Sequence, residues 1–311
     1  MVYLLALGAS VANALTSILQ RMGVQDAPDD VRLRLRLMGH ALRRRIWIVG
    51  FLLMVLSFVM QASALHFGRL TQVQPILTTE LLFLVLILGT RFRFHIGPRE
   101  WLGVLAASAG LAGFLIFASP TGGNVVPNTD GWLEVGLSCG AVAGIAVLLA
   151  LRGPRWWRAA MFGVAAAVGF AFTASLTKVV SDYAFHDWAS IVRHWETYAL
   201  AGCGMLSVFL AQNAFHAGPI AASQGTLVMV DPLASILIGV ELFGDQLRTS
   251  GAWGPLEALS LLTLFAGAYS LCRSPLVRGV KGEDHRERDL LAYQPRNAAS
   301  RPPTPAVPPS A

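Results

Sequence analysis

Residues 70–88 read Leu70-Thr-Gln-Val-Gln-Pro-Ile-Leu-Thr-Thr-Glu80-Leu-Leu-Phe-Leu-Val-Leu-Ile-Leu88, an apolar stretch with one carboxylate near its centre. About 20 predominantly apolar residues are enough to cross a bilayer as a helix. A second such stretch, Ile220–Val240, carries Asp231 near its centre. An ionised side chain at that depth costs at least about 2.5–3.5 kcal/mol, so it usually faces a cavity or a partner rather than lipid. Glu80 and Asp231 are therefore the leading candidates for functional residues.

The alternative for both carboxyl groups is a role in packing alone. Each would then be protonated, or hydrogen-bonded to a neighbouring helix, and would contact no substrate. Both interpretations place the two side chains inside a bundle of helices and away from lipid.

The composition indicates a membrane protein. Hydrophobic residues make up 54% of the 311-residue chain and charged residues only 14%, against about 25% charged in soluble proteins. Cys139, Cys203 and Cys272 lie in apolar stretches without the spacing of a zinc site or a disulfide framework. We therefore expect them to be small packing residues.

The chain contains nine apolar stretches long enough to span a membrane, which predicts an all-α polytopic protein. Only three residues separate the second stretch from the third, and the seventh from the eighth, so these pairs should form tight helical hairpins. The predicted spans are Val2–Met22, Ile46–His66, Leu70–Leu88, Trp101–Ala118, Trp132–Leu151, Trp157–Thr177, Thr197–His216, Ile220–Val240 and Ala252–Cys272.

The basic residues predict the orientation, because short loops rich in Lys and Arg stay on the cytoplasmic side. Twenty of the twenty-four basic residues fall on one side of the nine predicted spans, and the other side has only Arg69, Lys178, Arg193 and Arg248. We therefore expect the protein to lie in the plasma or inner membrane. Its amino terminus should be outside the cell and its carboxyl terminus in the cytoplasm. The net charge of +6 is then a topology signal, and we expect no nucleic-acid partner.

The second half of the chain resembles the first. His66, Gly68, Gln74 and Gly89 have counterparts 150 residues later in His216, Gly218, Gln224 and Gly239. We therefore predict a first four-helix repeat in 1–120, a connecting helix in 121–155 and a second four-helix repeat in 156–278. The tail, 279–311, is charged and then proline-rich, which is typical of disorder.

Because five spans separate corresponding helices, the two repeats should cross the membrane in opposite orientations. Inverted repeats of this kind are typical of secondary transporters, whose binding site lies near the midplane between the halves. Amides should accompany the two carboxylates there. Interhelical hydrogen bonding is the competing role for any one amide. The predicted substrate- or cation-binding residues are Glu80, Asp231, Gln61, Gln74, Gln212, Gln224 and Asn13, with Glu80 and Asp231 as the candidate Mg²⁺ ligands.

Prolines lie beside polar residues in both of these spans, as Gln74-Pro75 and Asp231-Pro232. Proline removes a backbone hydrogen bond within a helix and frees a carbonyl. We therefore expect interruptions in spans three and eight. The freed carbonyl groups would coordinate a cation, or the prolines would form kinks that aid packing.

Several short segments resemble the NIPA-like magnesium transporters and the related EamA-like branch of the drug/metabolite transporter superfamily. They are Leu19-Gln20-Arg21-Met22-Gly23, Gly39-His40-Ala41, Thr71-Gln72-Val73-Gln74-Pro75 and Trp101-Leu102-Gly103. The resemblance covers about residues 2–275 and implies the same nine-span topology. The family's acidic residue and asparagine in span two correspond to Phe58 and Gln61, so a magnesium pathway here would use Glu80 or Asp231.

The sequence favours a transporter of a small solute or cation that works by alternating access, with a Mg²⁺ transporter as one alternative. A membrane-embedded enzyme would need a nucleophile and base, or metal-ligand spacing such as His-Glu-x-x-His, and we find neither. A non-transporting structural protein is the other alternative. We expect no cofactor, the lipid bilayer and the substrate as partners, and leave a homodimer open.

Overall fold

The computed structural model describes residues 1–24, 45–91, 96–122, 127–218, 220–248 and 253–274. Nine spans in that part of the chain are long and apolar enough to cross a membrane, which confirms the predicted all-α, multi-span fold. The predicted tail, 279–311, lies outside the described residues. The spans are Val2–Val24, Arg45–Phe67, Leu70–Leu77 with Glu80–Arg91, Pro98–Ala118, Thr129–Ala150, Arg155–His186, Trp195–Ala217, Ile220–Phe243 and Trp253–Cys272, numbered 1 to 9 in this order.

The outer surface of the bundle is apolar. Leu137 and Leu148 of span 5 are 65% and 66% exposed, and Leu52 and Phe209 in spans 2 and 7 are also exposed. Soluble proteins rarely expose apolar patches of this extent. The exposed side chains are therefore suited to contact with lipid, and the polar residues lie between the helices.

Span 1 packs along span 2, and span 6 packs along both span 7 and span 8. Span 3 contacts span 8, while span 4 pairs closely with span 9. A side chain on Gly110 of span 4 would meet span 9, because an added Cβ would lie 2.6 Å from Leu264 Cα and 2.7 Å from the Ser260 carbonyl oxygen. Small residues allow this close approach, as they commonly do between membrane helices.

Two short strands hold one end of the bundle together. β1, Thr121–Gly122, follows span 4 and pairs antiparallel with β2, Asp245–Gln246, which follows span 8. Gly244 makes the turn into β2 with φ of +68°, a conformation that glycine adopts at little cost. The hairpin between spans 2 and 3 lies at the same end, where Arg69 Nε donates to the Gly122 carbonyl oxygen at 2.7 Å. We call this the strand end.

The two proline-containing spans differ from each other. Span 3 is interrupted at Thr78 and Thr79, three residues after Pro75. A break in span 8 at Pro232 is contradicted, because the helix Ile220–Phe243 continues through that residue. The alternative of a kink there stays a prediction. A proline removes one backbone hydrogen bond, and the packing of neighbouring helices can keep a long helix continuous despite that loss.

Span 6 is longer than predicted. The sequence predicted Trp157–Thr177, but the helix runs from Arg155 to His186 over 32 residues. At 1.5 Å per residue it is about 48 Å long, against a hydrocarbon core of about 30 Å. Its extra turns carry Lys178 and Asp182, which bind the strand end as described below.

Gly110→Ala should destabilise the protein, because the new methyl group would clash with the backbone of span 9. Overpacking of this kind costs about 1–3 kcal/mol. Gly140→Ala is the matched control, since an added Cβ there has no neighbour within 4 Å. The measurement is the thermal unfolding temperature in detergent, and equal values for both variants would contradict the close packing of spans 4 and 9.

Candidate functional site

A cavity of about 640 Å³ lies among spans 1, 2, 3, 6, 7 and 8. It is within the range of about 300–1,000 Å³ that is usual for small-molecule sites. All seven residues predicted from the sequence line it: Glu80, Asp231, Gln61, Gln74, Gln212, Gln224 and Asn13. The structure therefore brings the whole predicted set together.

Glu80 and Asp231 lie at similar depth. Glu80 is ten residues beyond Leu70, and Asp231 is eleven residues beyond Ile220. These separations correspond to about 15–17 Å along a helix, close to half of the roughly 30 Å hydrocarbon core. Span 3 begins at the strand end and span 8 ends there, so the two carboxylates approach the midplane from opposite directions.

The interruption in span 3 positions Glu80. The hydroxyl groups of Thr78 and Thr79 donate to the carbonyl oxygens of Pro75 at 2.7 Å and Ile76 at 2.6 Å. Glu80 then begins the second helix, and a helix amino terminus stabilises a negative charge. The sequence analysis expected an interruption at Pro75 but did not place it at Thr78 and Thr79. Its signal was Thr79 directly before an acidic first turn, which is a typical helix start.

Asp231 lies inside a continuous helix. Within the described part of the chain, its one hydrogen bond is accepted from the Ser235 hydroxyl group at 3.4 Å, a long contact within the same helix. Pro232 has no N–H to donate to Val228, one turn earlier. Asp231, Pro232 and Val228 all line the cavity. The Asp231 carboxyl group is thus available to a ligand.

The other polar residues fall into two groups. Thr78, Thr173 and Thr177 line the cavity with the predicted amides. Gln72 and Thr16 are engaged elsewhere, since they donate to the carbonyl oxygens of Pro120 at 3.5 Å and Gly50 at 3.3 Å. Their hydrogen bonds fit the structural role that was the alternative for single polar residues.

Three phenylalanines complete the wall of the cavity. Phe58, Phe170 and Phe215 come from spans 2, 6 and 7. Sequence reasoning had no signal for Phe170 and Phe215, because a phenylalanine in an apolar helix faces lipid, core or cavity with the same local pattern. Phe58 stands where the resemblance placed an acidic residue.

No cluster of three or more His, Cys, Asp or Glu side chains that could hold a metal ion occurs in the described residues. Magnesium binds proteins through one or two carboxylates and keeps several waters. Glu80 and Asp231 could serve as such ligands, with the cavity amides contacting the water shell.

Lys178 of span 6 anchors the strand end. It is 7% exposed, and its ammonium group donates to the carbonyl oxygens of Leu65 at 3.1 Å and Gly68 at 2.7 Å. Its Nζ also lies 5.5 Å from the centre of the Phe243 ring. One buried cation thus joins span 6 to the hairpin between spans 2 and 3 and to the end of span 8.

Two carboxylates reinforce this contact. His66 Nδ1 lies 2.5 Å from Asp182 Oδ1, which joins span 2 to span 6. Asp245 Oδ2 accepts the backbone N–H of Thr71 at 3.2 Å and its hydroxyl group at 2.8 Å, which joins the end of span 8 to the start of span 3. We call Lys178, His66, Asp182, Thr71 and Asp245 the strand-end network. It closes one end of the bundle above the cavity.

Comparisons with known proteins define no family. The chain is 26% identical over 279 residues to an uncharacterized protein of Corynebacterium glutamicum, and the match covers 87% of this chain and 96% of that protein. No protein-family profile matches the chain. No solved structure matches it either. The relative's name assigns no activity, so the function is argued from the site alone.

Burial raises the pKa of Asp245 above its usual value, and this effect outweighs the hydrogen bonds from Thr71 and the charges of Lys178 and Arg69. A carboxyl group whose pKa is raised by folding contributes stability at low pH, and that contribution is lost as the pH rises through the raised pKa. The window therefore begins near the ordinary Asp pKa of about 3.9 and extends upward.

Between about pH 4 and about pH 8, the unfolding temperature of the wild type should fall more than that of Asp245→Asn, which cannot ionise. For each kcal/mol of stability lost through ionisation of Asp245, the two changes in unfolding temperature should differ by about 2–4 °C. Asp130→Asn is the control, because Asp130 is an exposed aspartate. A parallel pH dependence in the wild type and Asp245→Asn would show that Asp245 ionises without cost.

Proposed function

We propose that the protein is a secondary transporter that moves a small solute or cation by alternating access between spans 1–4 and 6–9. The observation that carries the proposal is the composition of the cavity wall. Six of its seven lining residues from spans 2 and 3 have a lining counterpart 150 positions later. The pairs are Phe58 with Val208, Gln61 with Ala211, Gln74 with Gln224, Leu77 with Leu227, Thr78 with Val228 and Leu81 with Asp231.

Such pairing is what an inverted repeat would produce. The offset is the one at which the two halves of the sequence resemble each other. The packing of the spans follows the same relation, since spans 1 and 2 pair as spans 6 and 7 do. Spans 3 and 8, and spans 4 and 9, contact each other across the halves. A midplane site between inverted halves is typical of secondary transporters.

The strand-end network supports alternating access. The hydrogen bonds of Lys178 and Asp245 and the His66–Asp182 contact each join an element of spans 1–4 to an element of spans 6–9. Separation of the halves at this end would require all of them to break. On span 7 the cavity wall extends to Phe215, near the opposite end, whereas the corresponding residue of span 2, Leu65, is not among the lining residues. We infer that in this conformation the strand-end network closes the cavity at its own end and that a ligand enters from the other side.

The basic residues suggest which end of the bundle is cytoplasmic and which is extracellular. Lys178, Arg193 and Arg248 belong to segments at the strand end, together with Arg69, and the richer basic segments belong to the other end. By the positive-inside rule the strand end is extracellular. The amino terminus is then outside, the carboxyl terminus is cytoplasmic, and the conformation described here opens to the cytoplasm.

Alternating access predicts that one cavity residue can be reached from both sides of the membrane. In a variant without Cys139, Cys203 and Cys272, a Gln224→Cys probe should react with a membrane-impermeant maleimide added to either side of sealed vesicles. Trp188→Cys is the control, because Trp188 is 80% exposed at the strand end and should react from that side only.

Lys178→Met in the same background should increase labelling of the Gln224→Cys probe from the strand-end side by at least about tenfold, since each hydrogen bond from a charged donor contributes about 1.5–3 kcal/mol. Labelling of the probe from one side only, unchanged by Lys178→Met, would favour the non-transporting structural protein.

Membership of the drug/metabolite transporter superfamily is part of this proposal, and the resemblance to NIPA-like transporters makes Mg²⁺ the second candidate substrate. It is tested by Mg²⁺ flux into liposomes at two pH values. Saturable uptake that is lost in Glu80→Gln would support a magnesium pathway. Uptake that depends on pH would support coupling to protonation of a carboxyl group. Flux that is independent of pH and is not lost in Glu80→Gln would contradict the roles of Glu80 as a Mg²⁺ ligand and as a protonation site.

A further inference from the structure

Among the described residues, the charges that face the cavity have one sign. Glu80 and Asp231 line it, and none of the described lining residues is basic. Lys178 follows the lining residue Thr177 in sequence, but its ammonium group donates to the carbonyl oxygens of Leu65 and Gly68 in the strand-end network. Asp231 has only the long hydrogen bond from Ser235 among the described residues. A cationic ligand would supply a charge partner for Asp231, for which the described residues provide none.

The remainder of the wall is largely apolar. Twelve of the twenty-two lining residues are apolar or glycine, and Phe58, Phe170 and Phe215 provide aromatic surface from three different spans. Cations are attracted to aromatic rings by about 0.5–2 kcal/mol, more strongly where water is excluded. An apolar wall of this kind adds nothing to the binding of a small hydrated ion, but it stabilises a ligand that has an organic body.

The size of the cavity points the same way. Six waters occupy about 180 Å³ at about 30 Å³ each, so a hexahydrated Mg²⁺ would fill less than a third of about 640 Å³. The amides of Gln74, Gln224 and Asn13 can donate or accept hydrogen bonds to a polar group on a larger molecule. Carboxylates, aromatic rings and amides within one cavity of this volume match a ligand that is cationic at one end and apolar at the other.

We propose that the substrate is a monovalent organic cation with an apolar body, such as an alkylated or aryl ammonium compound, and that Asp231 balances its charge while Phe170 and Phe215 contact its body. This inference rests on the proposed transport function, because it names the substrate class of the same cavity. Binding alone tests it, so the outcome can be separated from that of the transport experiments.

The probe is benzyltrimethylammonium, and isothermal titration calorimetry of the purified full-length protein in detergent measures its binding. Phenylmethanesulfonate, an anion of similar size, and MgCl₂ are the comparison ligands. The wild type should bind the ammonium probe and should not bind the sulfonate. Asp231→Asn should weaken the Kd at least about tenfold, a factor that corresponds to about 1.4 kcal/mol. Asp130→Asn, the same change at an exposed residue outside the cavity, should leave the Kd unchanged.

A second variant keeps the test informative if Asp231→Asn fails to fold. Phe170→Leu retains an apolar side chain of similar size but removes the ring, and should weaken the binding of the ammonium probe about two- to fivefold. Equal binding of the cation and the sulfonate, or unchanged affinity in both Asp231→Asn and Phe170→Leu, would overturn the inference.

The two proposals fail in different ways. If the folded wild type binds no ammonium probe while the Gln224→Cys probe is labelled from both sides, the substrate class is wrong and transport remains supported. If the ammonium probe binds through Asp231 and labelling occurs from one side only, the ligand class is supported and the proposed transport is wrong.

Discussion

A bilayer interior offers no hydrogen-bond partners and solvates charge poorly, and the polar groups at the cavity and at the strand end are arranged around that constraint. Carboxylates and amides at mid-depth must point inward, where they line one cavity. The backbone carbonyls at the end of span 2 are capped by the buried ammonium group of Lys178. The hydroxyl groups of Thr78 and Thr79 satisfy carbonyls next to the break in span 3. The same constraint thus produces the cavity, its closed end and the local geometry of Glu80.

The sequence predicted those features that depend on hydrophobicity alone. The number of spans follows from apolar length, and the cavity residues follow from the cost of placing polar groups in lipid. Both rules are local, because they require only that a polar residue avoid lipid. Since the helical bundle has one interior, polar residues from different spans meet there. This is why Gln61 and Gln212, from separate halves, could be assigned to one cavity without knowledge of how the spans pack.

Features that depend on contacts between distant segments were not predictable. Lys178 resembled a loop charge after span 6, yet it lies within a helix that continues to His186. Its ammonium group finds acceptors in another hairpin, which the local sequence does not show. Asp245 gave no signal, since its partner Thr71 is 174 residues away. Both spans have a proline after a polar residue, but only span 3 also has Thr79 directly before Glu80 as a local sign of a new helix start. The helix of span 8 continues through Pro232.

Span 3 is broken and span 8 is continuous, and both line the cavity. This difference favours one of the two access states of the proposed cycle. A helix in two segments can bend at the joint, whereas a continuous helix moves as a rod. The two access states would then not be mirror images, and states that differ in shape differ in free energy. A protein built in this way rests mainly in one state before any gradient is applied, so the driving force has to overcome that intrinsic bias in one half of the cycle and is assisted by it in the other.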